Sequence, residues 1–466
     1  MWYRRRVHRL ASTPALSALA GHVLATSVLG CGFAASAALV GCAGERAVMV
    51  EISGTAGADR LCLIASDGAR VVFSRAYGDE LVGAPADGTL TFVAGSDVDS
   101  AVIVTALALR AGAVIGSATG TGSFGERGTT TLPLVVSRCR RRTLSSAALV
   151  ARAVVAIEAV GPGARLAAGD VDGDGRDEAL ILGVGGTLVT VDVERARAVA
   201  NAATGAGGRI AGVGDLDGDC SLDPVVVAAD GVRVLHTADD AVIVDPAVNG
   251  TAGTVDAALG AASGGPRIAV CGPAGVSLVV PRGATGAITL GTDPAQSVVV
   301  ADLTGDRRAE VIAAGPGGVF VWIALDAGFV RADDALPPSF ATVTTLLVVL
   351  DADGDGTPDL AGAGADALHL ALNRGDGLLE DRSGAGVAFA GAVVMVALDL
   401  DGDCRDELAV LGSDGVLALY TANGALVARA ETFAGVADVA AGDFDGDGAR
   451  ELVVLESDGQ LSVVRP

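Results

Sequence analysis

Six segments of the chain carry acids at the first, fifth and ninth positions of a nine-residue run, five of them at the third as well, always with glycine in fourth place. In chain order the acids are Asp170, Asp172, Asp174 and Glu178; Asp215, Asp217, Asp219 and Asp223; Asp302, Asp306 and Glu310, with Thr304 in third place; Asp351, Asp353, Asp355 and Asp359; Asp399, Asp401, Asp403 and Glu407; and Asp443, Asp445, Asp447 and Glu451. Oxygen donors at alternate positions of a tight turn converge on one point, which suits a hard divalent cation. Ca2+ takes about six to eight oxygens, and the first half of an EF-hand loop uses the same acidic spacing with a backbone carbonyl in seventh place. Here that carbonyl would belong to Arg176, Ser221, Arg308, Thr357, Arg405 and Ala449. The closing acid comes ninth, not twelfth, and strand-like runs flank every loop, so these are not EF-hands. Without a cation such carboxylates repel and raise one another's pKa. Up to six structural calcium ions are expected, with the Asp302 site the weakest because Thr304 lacks a charge.

The elements that must position these loops repeat with them. Successive loops start 45, 87, 49, 48 and 44 residues apart, and the outlier is close to twice the rest. Aligning Pro266 to Val270 with Asp223 to Val227 places a seventh, acid-free copy at Ala258, with Gly260, Ala262 and Pro266 in the other ligand positions. Around the first loop the sequence predicts strands over Arg165 to Gly169, Glu178 to Gly183, Thr187 to Val193 and Arg197 to Asn201, separated by Gly-rich turns. Four strands in about 45 residues is the size of a propeller blade, and such a unit buries its faces only by stacking on neighbours. The last unit ends after a third strand, so the apolar run Ala147 to Ile157 is expected to supply the missing one and close the ring. That pairing also removes an open sheet edge.

With loops and spacing together, residues 147–466 resemble the FG-GAP or VCBS repeats of integrin α-subunit propellers and their bacterial relatives. The resemblance implies an all-β fold, a seven-bladed β-propeller, with Ca2+ held between the first and second strands of each blade. Cys220, Arg307 and Cys404 depart from the glycine expected in sixth place, where a left-handed backbone is anticipated. Arg374-Gly375-Asp376 spells an adhesive tripeptide, but Asn373 to Gly377 reads as the hairpin turn usual in this repeat class.

Upstream, residues 1–41 read as a lipoprotein signal peptide: Arg4, Arg5, Arg6 and Arg9, an apolar run from Val23 to Val40, then Leu39-Val40-Gly41-Cys42. This resembles a bacterial lipobox, which implies lipidation of Cys42, export to the outer membrane, and membrane attachment through that anchor alone. Residues 42–142 alternate in runs such as Ala47 to Ile52, Arg60 to Ala65, Thr89 to Val93, Ala101 to Leu109 and Thr129 to Val136, an immunoglobulin-like β-sandwich by pattern. The propeller then takes 143–466. Among the remaining cysteines, Cys62 with Cys139 is the expected bridge, and at least one other stays unpaired.

A net charge of −24 argues against nucleic acid and anionic lipid as partners. After processing, His236 and His369 are the histidines left, each on the third strand of a repeat, and lysine is absent. No Ser-His-Asp set is visible. The expected function is a monomeric protein-binding or adhesion scaffold for a protein or glycan ligand. A propeller-based hydrolase, a polysaccharide lyase or an envelope-protein assembly factor is the alternative. Trp322 and loop arginines are the candidate contact residues, since interfaces favour Trp, Tyr and Arg.

Overall fold

The computed structural model describes residues 24–28 and, with short interruptions, 46–465. Apart from two short 3-10 turns the regular elements among the described residues are all strands, because Val-, Ala- and Leu-rich runs are cut every few residues by Gly and Asp turns. No described helix is long and apolar enough to cross a membrane.

From Val150 onward the described strands form seven antiparallel sheets; in six of them the strands lie in chain order, save that the short Val387–Ala388 pairs back with Ala367–Asn373. In repeat one they are Arg165–Gly169, Glu178–Leu182, Thr187–Asp192 and Arg197–Ala203. Behind an opening acid the second strands are mostly apolar because both faces are covered; Glu178–Leu182, Asp223–Ala228, Glu310–Gly315, Asp359–Ala363 and Glu407–Gly412 are buried throughout. Every sheet shares an apolar core with the next: Leu182 and Leu188 meet Val226 and Leu235, for example, and Leu398 and Leu419 meet Val439 and Leu452. The series returns on itself, since Ile181 and Val191 of repeat one pack with Val453 and Leu461 of repeat seven. Val150–Ala156 completes the seventh sheet by antiparallel pairing with Gln460–Arg465.

Polar links cross the same boundaries. The Asp256 carboxylate accepts the Val298 N–H (3.0 Å), Ser297 Oγ accepts that of Leu347 (3.1 Å), and Asp438 accepts that of Leu166 (2.9 Å). Each joins one repeat to the first strand of the next, and the last spans seven to one.

Repeat three departs from its expected register. Its first strand, Asp256–Ala262, runs through the positions aligned with a loop, and Ala262 pairs directly with Gly265 of the second strand, Gly265–Gly272. With no acids to space around an ion, the nine-residue loop has contracted to a hairpin.

Upstream lie two four-stranded sheets. Arg46–Ser53 pairs with Gly88–Val93 and, in parallel, with Gly128–Val135; Arg60–Ser66 pairs with Val71–Tyr77 and Ala101–Arg110, which continues to Ala113–Ser123. Val48, Val50, Leu61, Leu63, Val104 and Leu134 fill the space between them. Leu24–Val28, inside the segment read as the export signal, adds an edge strand against Gly88–Val93. Cys42 lies outside the described residues.

The expected Cys62–Cys139 bridge is corrected: Cys62 bonds Cys220, with 5.5 Å between the Cα atoms. Alternation along Arg60–Ser66 explains why. Leu61 and Leu63 face the upstream core, while Cys62 and Ile64 point the other way and pack, with Leu107, against Val171, Cys220 and Leu222. The disulfide therefore ties the upstream sheets to the second acidic loop. Cys271 is free and buried.

Candidate metal centres

All six loops share one hydrogen bond. The ninth-position carboxylate reaches back to accept the N–H of the second residue: Glu178 from Val171 (3.1 Å), Asp223 from Leu216 (3.0 Å), Glu310 from Leu303 (2.7 Å), Asp359 from Ala352 (2.8 Å), Glu407 from Leu400 (2.9 Å) and Glu451 from Phe444 (3.0 Å). The closing acid opens a buried second strand, so its position is set by the sheet and not by the loop.

The loops at Asp351 and Asp399 are described throughout. Asp351 accepts the Gly354 and Gly356 N–H groups (2.9 and 3.0 Å), and Asp399 accepts those of Asp403 and Cys404 (both 3.0 Å). The fifth-position acids accept the seventh-position N–H, at 2.8 Å for Asp355 with Thr357 and 2.9 Å for Asp403 with Arg405 and for Asp306 with Arg308. That bond draws the backbone round, and the left-handed turns expected at the sixth position are present: Cys220 has φ 73°, Cys404 φ 74° and Gly356 φ 84°. Carboxylate oxygens come within 4.8 Å of one another in Asp170, Asp172 and Glu178, in Asp351, Asp353 and Asp355, and in Asp399, Asp401 and Glu407. A hard cation at 2.3–2.6 Å from each oxygen fits such a set. Asp174, Asp219, Asp447 and Ala449 lie outside the described residues.

Burial lifts the closing acids far above the ordinary carboxylate range. Glu310, Asp359 and Glu407 are pushed up to about 7, and Asp399 to about 6, with neighbouring acids adding to the effect. In the metal-free protein the folded state therefore holds protons that the unfolded chain, titrating near 4, has released. Stability falls wherever the native state binds more protons than the unfolded one. The chelated protein should thus melt at a higher temperature at pH 5 than at pH 7.5, and saturating calcium should flatten that slope. A melting temperature that rises with pH in chelator would contradict this electrostatic account.

Two features were not read from the sequence. The eighth-position acids Asp177 and Asp406 serve the preceding loop in the closed series: Asp177 accepts the Asp443 N–H (2.8 Å) and Asp406 accepts that of Asp351 (2.7 Å). Their own N–H groups donate back to the Asp443 and Asp351 carbonyls, each at 2.8 Å. The second feature is His236. Its Nδ1 lies 2.9 Å from Asp223 Oδ1 and its Nε2 2.7 Å from Asp245 Oδ2. Burial works against its protonation, but Asp245 and Asp223 outweigh that and raise its pKa.

Trp322 is corrected as a contact candidate, being only 2% exposed. It packs between repeats three and four, where a Cβ on Gly291 would sit 2.8 Å from its ring. At the Arg374 turn, Asn373 Oδ1 accepts the Gly375 N–H (3.0 Å), and Arg374 is paired with Glu380. This is the local bonding of a hairpin turn.

Fold and loops together define an all-β protein of tandem antiparallel sheets with acid-lined turns. More specifically, the chain carries FG-GAP-like repeats, which match residues 302–362, 351–410 and 399–454. A search of curated proteins finds no match. Among solved structures, BBS1N in complex with ARL6DN is similar at 15% identity over 68% of this chain and 95% of that one, with TM-score 0.45. A chain of a mitotic checkpoint complex aligns at 12% identity over 70% and 93%, with TM-score 0.47. An Agrocybe aegerita lectin specific for non-reducing terminal N-acetylglucosamine aligns at 18% over 59% and 82%, with TM-score 0.40. None of these bears on function.

Proposed function

We propose that this chain is a calcium-stabilised seven-bladed β-propeller of FG-GAP type, preceded by an immunoglobulin-like sandwich and acting as a protein-binding or adhesion scaffold. Residues 1–41 serve as its signal peptide, 42–142 as the sandwich and 143–466 as the propeller, and lipidation at Cys42 holds it at the outer membrane. The observation that carries this reading is the recurrence, in six loops at blade spacing, of a closing acid bonded to the second-position N–H beside further acids. One such loop could be a solvated turn, whereas six in register make a design for cations. Calcium here would neutralise crowded carboxylates and stiffen the turns that present a binding face.

The test is affinity capture from envelope extract with the full chain as bait, in calcium and in chelator. The scaffold reading expects one protein partner to be retained with calcium, released by chelator, and shown to bind again when purified. Turnover of glycan or ester substrates by the pure chain, with no such partner, would replace it with the enzyme reading.

A further inference from the structure

The second loop differs from the others in its donors. Register places the residue opposite each closing acid on the third strand. The Val225 and Val234 pair sets His236 across from Asp223, whereas the corresponding pairs set Ile323 across from Glu310, Leu372 across from Asp359 and Thr421 across from Glu407. Only in repeat two, among those residues, does an imidazole enter the loop.

That imidazole is arranged as a metal ligand. Ligand atoms of Asp217, Asp223 and His236 all lie within 4.8 Å of one another. From His236 Nδ1 the distances are 2.9 Å to Asp223 and 3.9 Å to Asp217. Zinc holds nitrogen and oxygen donors at about 2.0–2.2 Å in a tetrahedron, whose edge is then about 3.4 Å. The two observed distances bracket that edge. The far nitrogen is held too, since Nε2 lies 2.7 Å from Asp245, which keeps a proton there, so that Nδ1 is the nitrogen a metal would take in place of the proton it shares with Asp223. His236 is buried, with its side chain 9% exposed, so the ring has little freedom to turn away.

We propose that the second loop is a zinc-class site, in which His236 Nδ1, Asp223 and Asp217 bind a borderline transition-metal ion and Asp245 orients the imidazole. Imidazole suits zinc and its neighbours, while calcium prefers oxygen alone, so this loop selects a different ion from its siblings. The site rests on the reading that the acidic loops bind cations but not on calcium filling the other five. Because Cys62 joins Cys220 in the same loop, the ion would brace the point where the upstream sheets are tethered.

The full chain, stripped of metal, is loaded with zinc in a calcium buffer, desalted into the same buffer, and assayed for both metals by mass spectrometry. One zinc per chain is expected in the wild type. His236→Gln should bind zinc at least about 100-fold more weakly, and Asp245→Asn about 10-fold more weakly, the range usual for an outer-shell partner. Cobalt as a probe should give a visible absorption band that His236→Gln abolishes. Melting curves in chelator establish that each variant folds, and Asp245→Asn, at a half-buried position, carries the test if His236→Gln does not. Zinc lost from the wild type, or held equally by both variants, overturns the proposal. Zinc retained with no calcium bound would leave this site standing and remove the calcium reading of the other loops.

Discussion

Moving the purified chain from 1 mM calcium into excess chelator should lower its melting temperature by roughly 5–15 °C. A site of the affinity usual in extracellular modules, about 10⁻⁴–10⁻³ M, stabilises by about 0.4–1.4 kcal/mol at that concentration. Six such sites together contribute about 2–8 kcal/mol, and a domain of this size shifts by roughly 2 °C for each. The effect should be graded, since the loops are alike in backbone but not in charge. Restoring an acid should be harder to detect than removing one. Asp359→Asn removes a charge that no solvent reaches and should abolish one bound calcium, while Thr304→Asp should tighten the weakest loop. Scanning calorimetry with and without chelator is sufficient, and coincident melts would show that the acidic loops do not use cations for stability.

Trp322→Ala should cost about 3–5 kcal/mol, the range for removing a fully buried large aromatic. Its ring lies in the core shared by repeats three and four, 6.2 Å from Phe320 and tilted 59° to it, and Arg331 covers the Phe320 face at 4.5 Å. Truncation leaves a cavity between two sheets that rigid strands cannot close. Urea titration should show a lower midpoint, with the number of bound calcium ions unchanged because the ring packs in an apolar core with Ala269, Val276, Val298 and Val311. A loss below about 1 kcal/mol would mean that the boundary between these repeats is not close-packed.

Much of the fold was legible because its signals are local. The strands of repeat one lie within two residues of their expected ends, and the first three start or stop at an acid or glycine whose backbone preference acts alone. The positive φ at Cys220 and Cys404 follows from loop spacing in the same way. Ala113–Ser123 escaped notice because its glycines look like turn residues. Gly122 is there for close approach, since a Cβ would sit 2.5 Å from the Val48 side chain.

The site divides along the same line. Sequence alone determined which residues carry oxygen, how they are spaced and how often the unit recurs, because a nine-residue loop is a local object with a repeating grammar. Tertiary structure decided what crosses between elements: His236 facing Asp223 through strand register, Asp406 bonded to the Asp351 loop, Cys62 bonded to Cys220, and Trp322 sealed between sheets. Those pairings join residues from 13 to 158 positions apart, or turn on which face of a strand a side chain takes. Such contacts exist only once strands have paired in register and, for those between sheets, once the sheets have stacked.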